Sequence, residues 1–284
     1  MKLYLRYTTL ICAGILLGGL FVNDAVSATA RESITITGTG AGIGTMKLMA
    51  KEFQKKHSGM VVNVLPSIGS TGGIRAVNED KIDIAISWRP LKPEERNATI
   101  IEEPYGRTAF IFGVQGSNPV QNLTLEEIED IYAGKRRTWP DRTPVRLVLR
   151  PVSDGFSVYL SGINPGLKSV SMKAHAIPGV YVGNTDQDSA EQIEQTPGSF
   201  GTTSLSLVVS EKRKIKALSV NGAAPTISNV STGTYPYANT LSLVYRKDKY
   251  RGAVKAFIEF IFSGNGKKIL SNNGHVALQR VTGK

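Results

Sequence analysis

Three short stretches rich in glycine, serine and threonine carry the most chemistry in this sequence: Gly38 to Thr45, Gly69 to Gly73, and Ser153 to Ser157. Each follows a strand-like run and opens a helix-like one. A helix start offers unpaired N–H groups and a partial positive charge, so an anion is stabilised there. Glycine lets the backbone come close, and a Ser or Thr hydroxyl adds a donor. Arg150, directly after the apolar run Val145 to Leu149, adds a guanidinium whose paired donors match an oxyanion. Any one such turn is also what a plain strand-to-helix connection looks like. Three of them with an arginine, all at carboxyl ends of strands where open α/β sheets bind their ligands, point together to an anion site.

Rival chemistries find less support. A dinucleotide loop of the form G-x-G-x-x-G started at Gly38 would need glycine where Ile43 stands; started at Gly40 it would need glycine in place of Thr45. The second strand ends in Leu65-Pro66-Ser67 without the acid that would hold a ribose, and no Gly-Lys-Ser/Thr phosphate loop is present. The three histidines, His57, His175 and His275, are far apart and lack metal-ligand spacing. No G-x-S-x-G elbow presents a serine nucleophile, which leaves only a triad assembled from distant residues. The expectation is a non-catalytic chain without metal or cofactor.

The elements that must position these residues alternate. Ser33 to Thr37 reads as a strand, and a helix is expected from near Thr45, with Met46, Met49, Ala50 and Phe53 as its buried stripe and Lys47, Lys51 and Lys55 in water. Strands are expected at Val61 to Leu65, Ile82 to Ser87, Phe110 to Val114, Val145 to Leu149 and Thr240 to Tyr245. Thr124 to Glu127 and Ser189 to Gln192 both read as capping boxes opening helices, the first stopped by Gly134 and the second closed by Pro197-Gly198. Val254, Phe257, Ile258 and Ile261 mark a further amphipathic helix, and another begins at Gly266. This alternation predicts a mixed α/β fold with largely parallel sheets and helices on both faces.

The front of the chain reads as a secretory signal: a basic start with Lys2 and Arg6, an apolar run from Thr8 to Val22, and small residues for cleavage after Ala28, with a second cut offered after Ala30. The run is shorter than the roughly 20 residues a spanning helix needs. The single Cys12 lies inside this segment, so the mature chain has no thiol and depends on its core. The net charge of +11 falls to +10 once Lys2, Arg6 and Asp24 are removed, a balance that favours anionic partners. The charges are scattered, the densest clusters being Lys135-Arg136-Arg137 and Lys212-Arg213-Lys214, with none of the basic and aromatic interleaving of nucleic-acid proteins.

With these residues in view, the chain resembles the periplasmic phosphate-binding receptors of ABC importers and their wider phosphate-receptor-like family. The resemblance spans nearly the whole mature chain. It rests on Ile34 to Gly40, Gly69 to Ile74, Asp83 to Ser87 with Pro90-Leu91, Asn118-Pro119-Val120 through Leu123-Thr124, Ile131 to Lys135, Trp139, Gly198 to Gly201, and Ala253 to Phe257 with Gly266. It implies a two-lobed type II periplasmic-binding-protein fold, with lobe 1 from residues 31–114 and 238–284 and lobe 2 from 115–237. It implies an exported monomer that closes by a hinge around phosphate or a similar oxyanion and presents it to an ABC permease. Carried over by position, the ligand donors would be Thr39, Gly40 and Ala41 in the first turn, Ser70 and Thr71 at the second helix start, and Ser87 at the end of the third strand. Arg150 would be the clamp, with Ser153, Gly155 and Ser157 on the opposing loop.

Two departures bear on the ligand. Many members carry an aspartate after the third-strand serine, where it accepts the proton of hydrogen phosphate; here that position is Trp88. The fourth loop is usually Ser-Gly-Thr, but here runs Arg150-Pro151-Val152-Ser153-Asp154-Gly155-Phe156-Ser157. Asp154 has two readings, a replacement proton acceptor or a helix cap, and Trp88 and Phe156 add apolar bulk. Two alternatives stay open: a family member serving as sensor, adhesion factor or accessory without tight binding, and a phosphate-ester hydrolase using the same pocket.

Overall fold

The computed structural model describes residues 31–280. The signal segment at 1–28, the alternative cut after Ala30, and Cys12 lie outside the described residues. The first half of the chain lays down β1 (Glu32–Gly38), α1 (Gly40–Lys56), β2 (Met60–Val64), α2 (Gly69–Asn78), β3 (Ile84–Ser87) and the 16-residue β4 (Ile100–Gln115). After it come β5 (Asn122–Leu123), α3 (Leu125–Tyr132), β6 (Arg146–Leu149), α4 (Gly155–Ile163), α5 (Pro165–Ser171), β7 (Tyr181–Val182), α6 (Asp186–Gln195), β8 (Ser199–Ser204) and α7 (Leu205–Ser210). The chain then returns through β9 (Ile215–Ala217), β10 (Ser219–Val220), α8 (Ile227–Thr232), β11 (Ala238–Arg246), α9 (Gly252–Phe262), α10 (Gly264–Asn272) and β12 (His275–Ala277).

The principal sheet runs β2-β1-β3-β11-β4-β8-β6-β7, with β9 and β12 also paired to β4. Its two ends are parallel: β1 pairs with β2 and β3, and β6 pairs with β7 and β8. The middle is antiparallel and belongs to β4. Residues from Ile100 to Ala109 of β4 pair with β11, and Phe110 to Val114 pair with β8. One strand therefore serves two sheet halves, and its second stretch, Phe110-Ile111-Phe112-Gly113-Val114, is fully buried because elements cover both faces there. The fold is mixed α/β in two halves, with helices against the sheet.

Local chemistry explains most elements. Met46, Met49, Ala50 and Phe53 are all buried on α1, with Phe53 edge-on to Phe257 of α9. Thr124 caps α3 by accepting from Glu127 N–H, while the Glu127 carboxylate accepts from Thr124 N–H. Gly134 follows α3 with a φ of 69°, the left-handed geometry glycine adopts without penalty. Among the described residues, no helix is long and apolar enough to cross a membrane.

Three local expectations need correction. Helix α1 begins at Gly40, not near Thr45, so the glycine-rich stretch is itself the first helical turns. Its glycines answer to packing: a Cβ on Gly40 would stand 2.6 Å from Asp186 Cβ, and one on Gly42 would stand 2.8 Å from the Tyr105 hydroxyl. Helix α6 begins at Asp186, three residues before Ser189, because Thr185 in extended backbone accepts from Asp188 N–H and acidic residues fill the first turn. Ser189 is consequently a buried residue within the helix. Strand β4 begins ten residues before Phe110. Pro104 and Gly106 disguise its first half, and the register to β11 shifts between Leu241 and Ser242 so as to pass over Tyr105.

His275 on β12 is fully buried, with Nε2 3.0 Å from Thr45 Oγ1, and burial pushes its pKa down to about 3. A depressed folded-state pKa means that the unfolded chain takes up the proton first as pH falls. Stability is whole above about pH 6.5 and drains at up to roughly 1.4 kcal/mol per pH unit below it, until about pH 3. Between pH 6.5 and 5 the loss from this residue is about 2 kcal/mol. Urea unfolding at several pH values should show this slope in the parent and a flatter one in His275→Gln.

Candidate functional site

The carboxyl ends of β1, β3 and β6 open on one cleft of about 270 Å³ between the two sheet halves. One wall comes from Thr39, Ile68 to Thr71, Trp88 and Arg89; the other from Arg150, Pro151, Ser153 to Phe156 and Asn184 to Asp186. The starts of α1, α2, α4 and α6 all reach it, because each follows or lies beside a strand end. Of the residues expected to bind, Thr39, Ser70, Thr71, Arg150, Ser153 and Gly155 line this one cleft.

The other four are placed behind it. Ser87 is fully buried and donates to the Arg89 carbonyl at 2.5 Å. Ser157 donates to the Arg150 carbonyl at 3.0 Å. Gly40 and Ala41 form the first turn of α1, and the Ala41 N–H is given to the Asp186 carboxylate at 3.1 Å. Ser70 accepts from the Trp88 N–H at 2.9 Å, which fixes the end of β3 over the start of α2.

Arg150 is 4% exposed and saturated by protein acceptors. Its Nη1 donates to the Gly183 carbonyl at 2.7 Å, its Nε and Nη2 reach the two oxygens of Asp154 at 3.3 and 3.0 Å, and Nη2 lies 3.3 Å from Asp186 Oδ1. Asp154 also accepts from the Phe156 N–H at 2.9 Å, so it caps α4 while pairing with Arg150. Across the cleft, Arg89 donates to both oxygens of Glu95 at 2.6 Å, and this hydrogen-bonded partner holds Glu95 below the usual carboxylate range. Its Nη2 also reaches Thr71 Oγ1 at 3.0 Å.

Asp186 escaped the reading of the sequence. It is buried at the first position of α6, accepts from Thr39 Oγ1 at 2.9 Å and from the Ala41 N–H at 3.1 Å, and faces Arg150. Burial pushes its pKa up; Arg150 pulls it down, and the neighbouring Asp154 raises it further. The one local signal was the acidic turn Asp186-Gln187-Asp188 after a capping threonine; its contact with residues about 147 positions earlier has no local signature.

The two aromatic departures belong together. Trp88 and Phe156 stack at 4.3 Å between ring centroids with 16° between planes, both buried, so one half lends a tryptophan and the other a phenylalanine to a shared apolar contact. Gly155 leaves room for this stack, since a Cβ there would stand 3.1 Å from Trp88 Cδ1. The arrangement can do two things: offer donors to an oxyanion, and hold the halves together through aromatic and ionic contacts. Removing Arg150 would leave Asp154 and Asp186 as adjacent carboxylates, one of them buried. Arg150→Ala should therefore cost about 3–5 kcal/mol of stability at pH 8 by urea unfolding, with a smaller cost near pH 5, where Asp186 protonates more readily.

Relatives share this architecture. A family profile described as the PBP superfamily domain matches residues 23–265. Protein SphX of Synechococcus elongatus is 28% identical over 92% of this chain and 82% of its own length. The phosphate-binding protein PstS of Bacillus subtilis is 26% identical over 87% of this chain and 81% of its own. Among solved structures, a candidate substrate-binding protein of a phosphate ABC transporter from Clostridium perfringens, with bound phosphate, superposes with a TM-score of 0.74 at 24% identity, covering 87% of this chain and all of that one. The likeness to that structure is one of fold. By the family match over most of its length, the chain belongs to the PBP superfamily.

Proposed function

We propose that this chain is an exported, non-catalytic solute-binding protein that captures an oxyanion of the phosphate class between its two lobes for an ABC permease. The observation that carries the reading is the convergence of helix starts and Arg150 on a single cleft at the carboxyl ends of β1, β3 and β6. The names of the relatives, phosphate-binding proteins among them, support the same ligand class. Lobe 1 would comprise 31–114 and 238–284, and lobe 2 would comprise 115–237. Strand β4, which continues from one half to the other, would form part of the hinge, and the chain would work as a monomer.

Within the cleft, Thr39, Ser70, Thr71, Ser153 and the backbone of Gly155 would donate to ligand oxygens. Ser87 and Ser157 would act from behind, by fixing the turns that carry those donors. Charge-assisted hydrogen bonds contribute roughly 1.5–3 kcal/mol each. A handful supplies the about 8 kcal/mol of micromolar binding even after ordering costs. A non-catalytic role is supported by the histidines: His57 stacks on Phe53 at 4.2 Å, His175 contacts the Arg150 carbonyl at 2.9 Å, and His275 contacts Thr45. None of the three lines the cleft.

A second reading, a family member without tight binding, is favoured by one observation: protein carboxylates pair with both Arg150 and Arg89. Calorimetric titration of desalted protein with phosphate, sulfate, molybdate and tungstate separates the two. Phosphate should bind at about micromolar strength or better, and Ser70→Ala should weaken it about tenfold, equivalent to roughly 1.4 kcal/mol. Absence of heat with every anion at both pH 5.5 and pH 8 would leave the second reading standing.

A further inference from the structure

The groups expected to hold an anion already hold one. Thr39 is the N-cap of α1, yet its hydroxyl makes no bond to its own helix; it donates to Asp186 Oδ2 instead. The same oxygen takes the Ala41 N–H, one of the donors that a helix start directs at an anion. The other carboxylate oxygen lies against the Arg150 guanidinium. A single side chain from one half of the molecule thus satisfies a hydroxyl, a helix-start N–H and a guanidinium, three donors of the kind an oxyanion would use. The fit is built in, because Gly40 leaves only hydrogen where any larger residue would meet Asp186 Cβ at 2.6 Å.

Charge accounting singles out the same residue. Among the cleft-lining residues, every cation faces a carboxylate: Arg89 faces Glu95, and Arg150 faces both Asp154 and Asp186. A ligand anion entering this cleft meets one more acid than base around Arg150. Asp154 is committed to capping α4, and Glu95 is held charged by Arg89. Asp186 is the carboxylate that touches donors on both sides of the cleft. The groups facing it from each neighbouring element are the N-cap Thr39 and Ala41 at the start of α1, Arg150 after β6, and Asp154 before α4. Within α6 itself, Ser189 reaches Arg150 at 3.5 Å, Gln187 is turned to the Gly40 carbonyl and Glu211, and Asp188 is turned to Tyr181.

The geometry points to Asp186 as a tethered carboxylate that occupies the oxyanion donors and bridges the two halves, so that ligand capture proceeds by displacing this side chain. The inference rests on the anion-receptor reading and deepens it by naming what the ligand competes against. Burial already disposes Asp186 towards its neutral form, so acid would weaken the competitor.

The test is titration calorimetry of the full mature chain with inorganic phosphate at pH 5.5 and pH 8. It compares the parent with Asp186→Ala and Asp186→Asn, each checked for folding by circular dichroism and thermal unfolding. Comparison at each pH cancels the titration of phosphate itself. Both variants should bind phosphate at least about tenfold more tightly than the parent at pH 8, the order of effect of one charged contact, with a smaller gain at pH 5.5. A parent silent towards phosphate beside variants that bind it would also support the tethered carboxylate, while removing the receptor role of the parent. Variants that bind equally or more weakly than a binding parent would overturn the inference and leave the receptor reading intact. Silence of all three proteins would overturn both.

Discussion

The structure depends on the placing of one buried guanidinium. Arg150 directly follows β6, where the sheet runs out and the chain turns towards α4, and its five N–H donors must be met by acceptors because water has little access. A carbonyl from the turn after β7 and carboxylates from the starts of α4 and α6 converge on it. Three segments of the second half are thereby tied to one point. Through Asp186 the same point reaches α1 in the first half. The cleft is less a void between lobes than a network of charges centred on this residue.

Around that network the fold is conservative. Two parallel sheet ends place helix starts at the mouth of the cleft, and β4 carries the chain from one pairing partner to the next without a break. The aromatic stack of Trp88 on Phe156 presses the α4 start against the end of β3. The polar turns of the cleft are thereby joined by an apolar wall.

Much of this was legible in the sequence, for identifiable reasons. The stripe Met46, Met49, Ala50 and Phe53 announces a helix because burial follows its period, and the Thr124 to Glu127 box announces another because both its hydrogen bonds are local. The convergence of Thr39, Ser70, Arg150 and Ser153 was legible because each follows a strand's carboxyl end; β1 and β3 run opposite to β6, so those ends face each other across the cleft. What local pattern misjudged was the role of glycine. Gly40, Gly42 and Gly44 look like a loop, yet they are helical, and their missing side chains are required by Asp186, Tyr105 and Ser210. Asp186 was illegible because a long-range contact determines its significance, while its neighbours in sequence indicate only a helix start.

The close approach of Gly40 to Asp186 has a consequence for how this chain can change over time. A methyl group at position 40 has nowhere to go while an aspartate stands opposite, and a glycine opposite would leave the Ala41 N–H without its carboxylate. The two positions, remote in sequence, are therefore energetically coupled. A side chain at position 40 is tolerated only if the residue at 186 gives way, so the tight fit at Gly40 keeps the inner carboxylate seated against the α1 start.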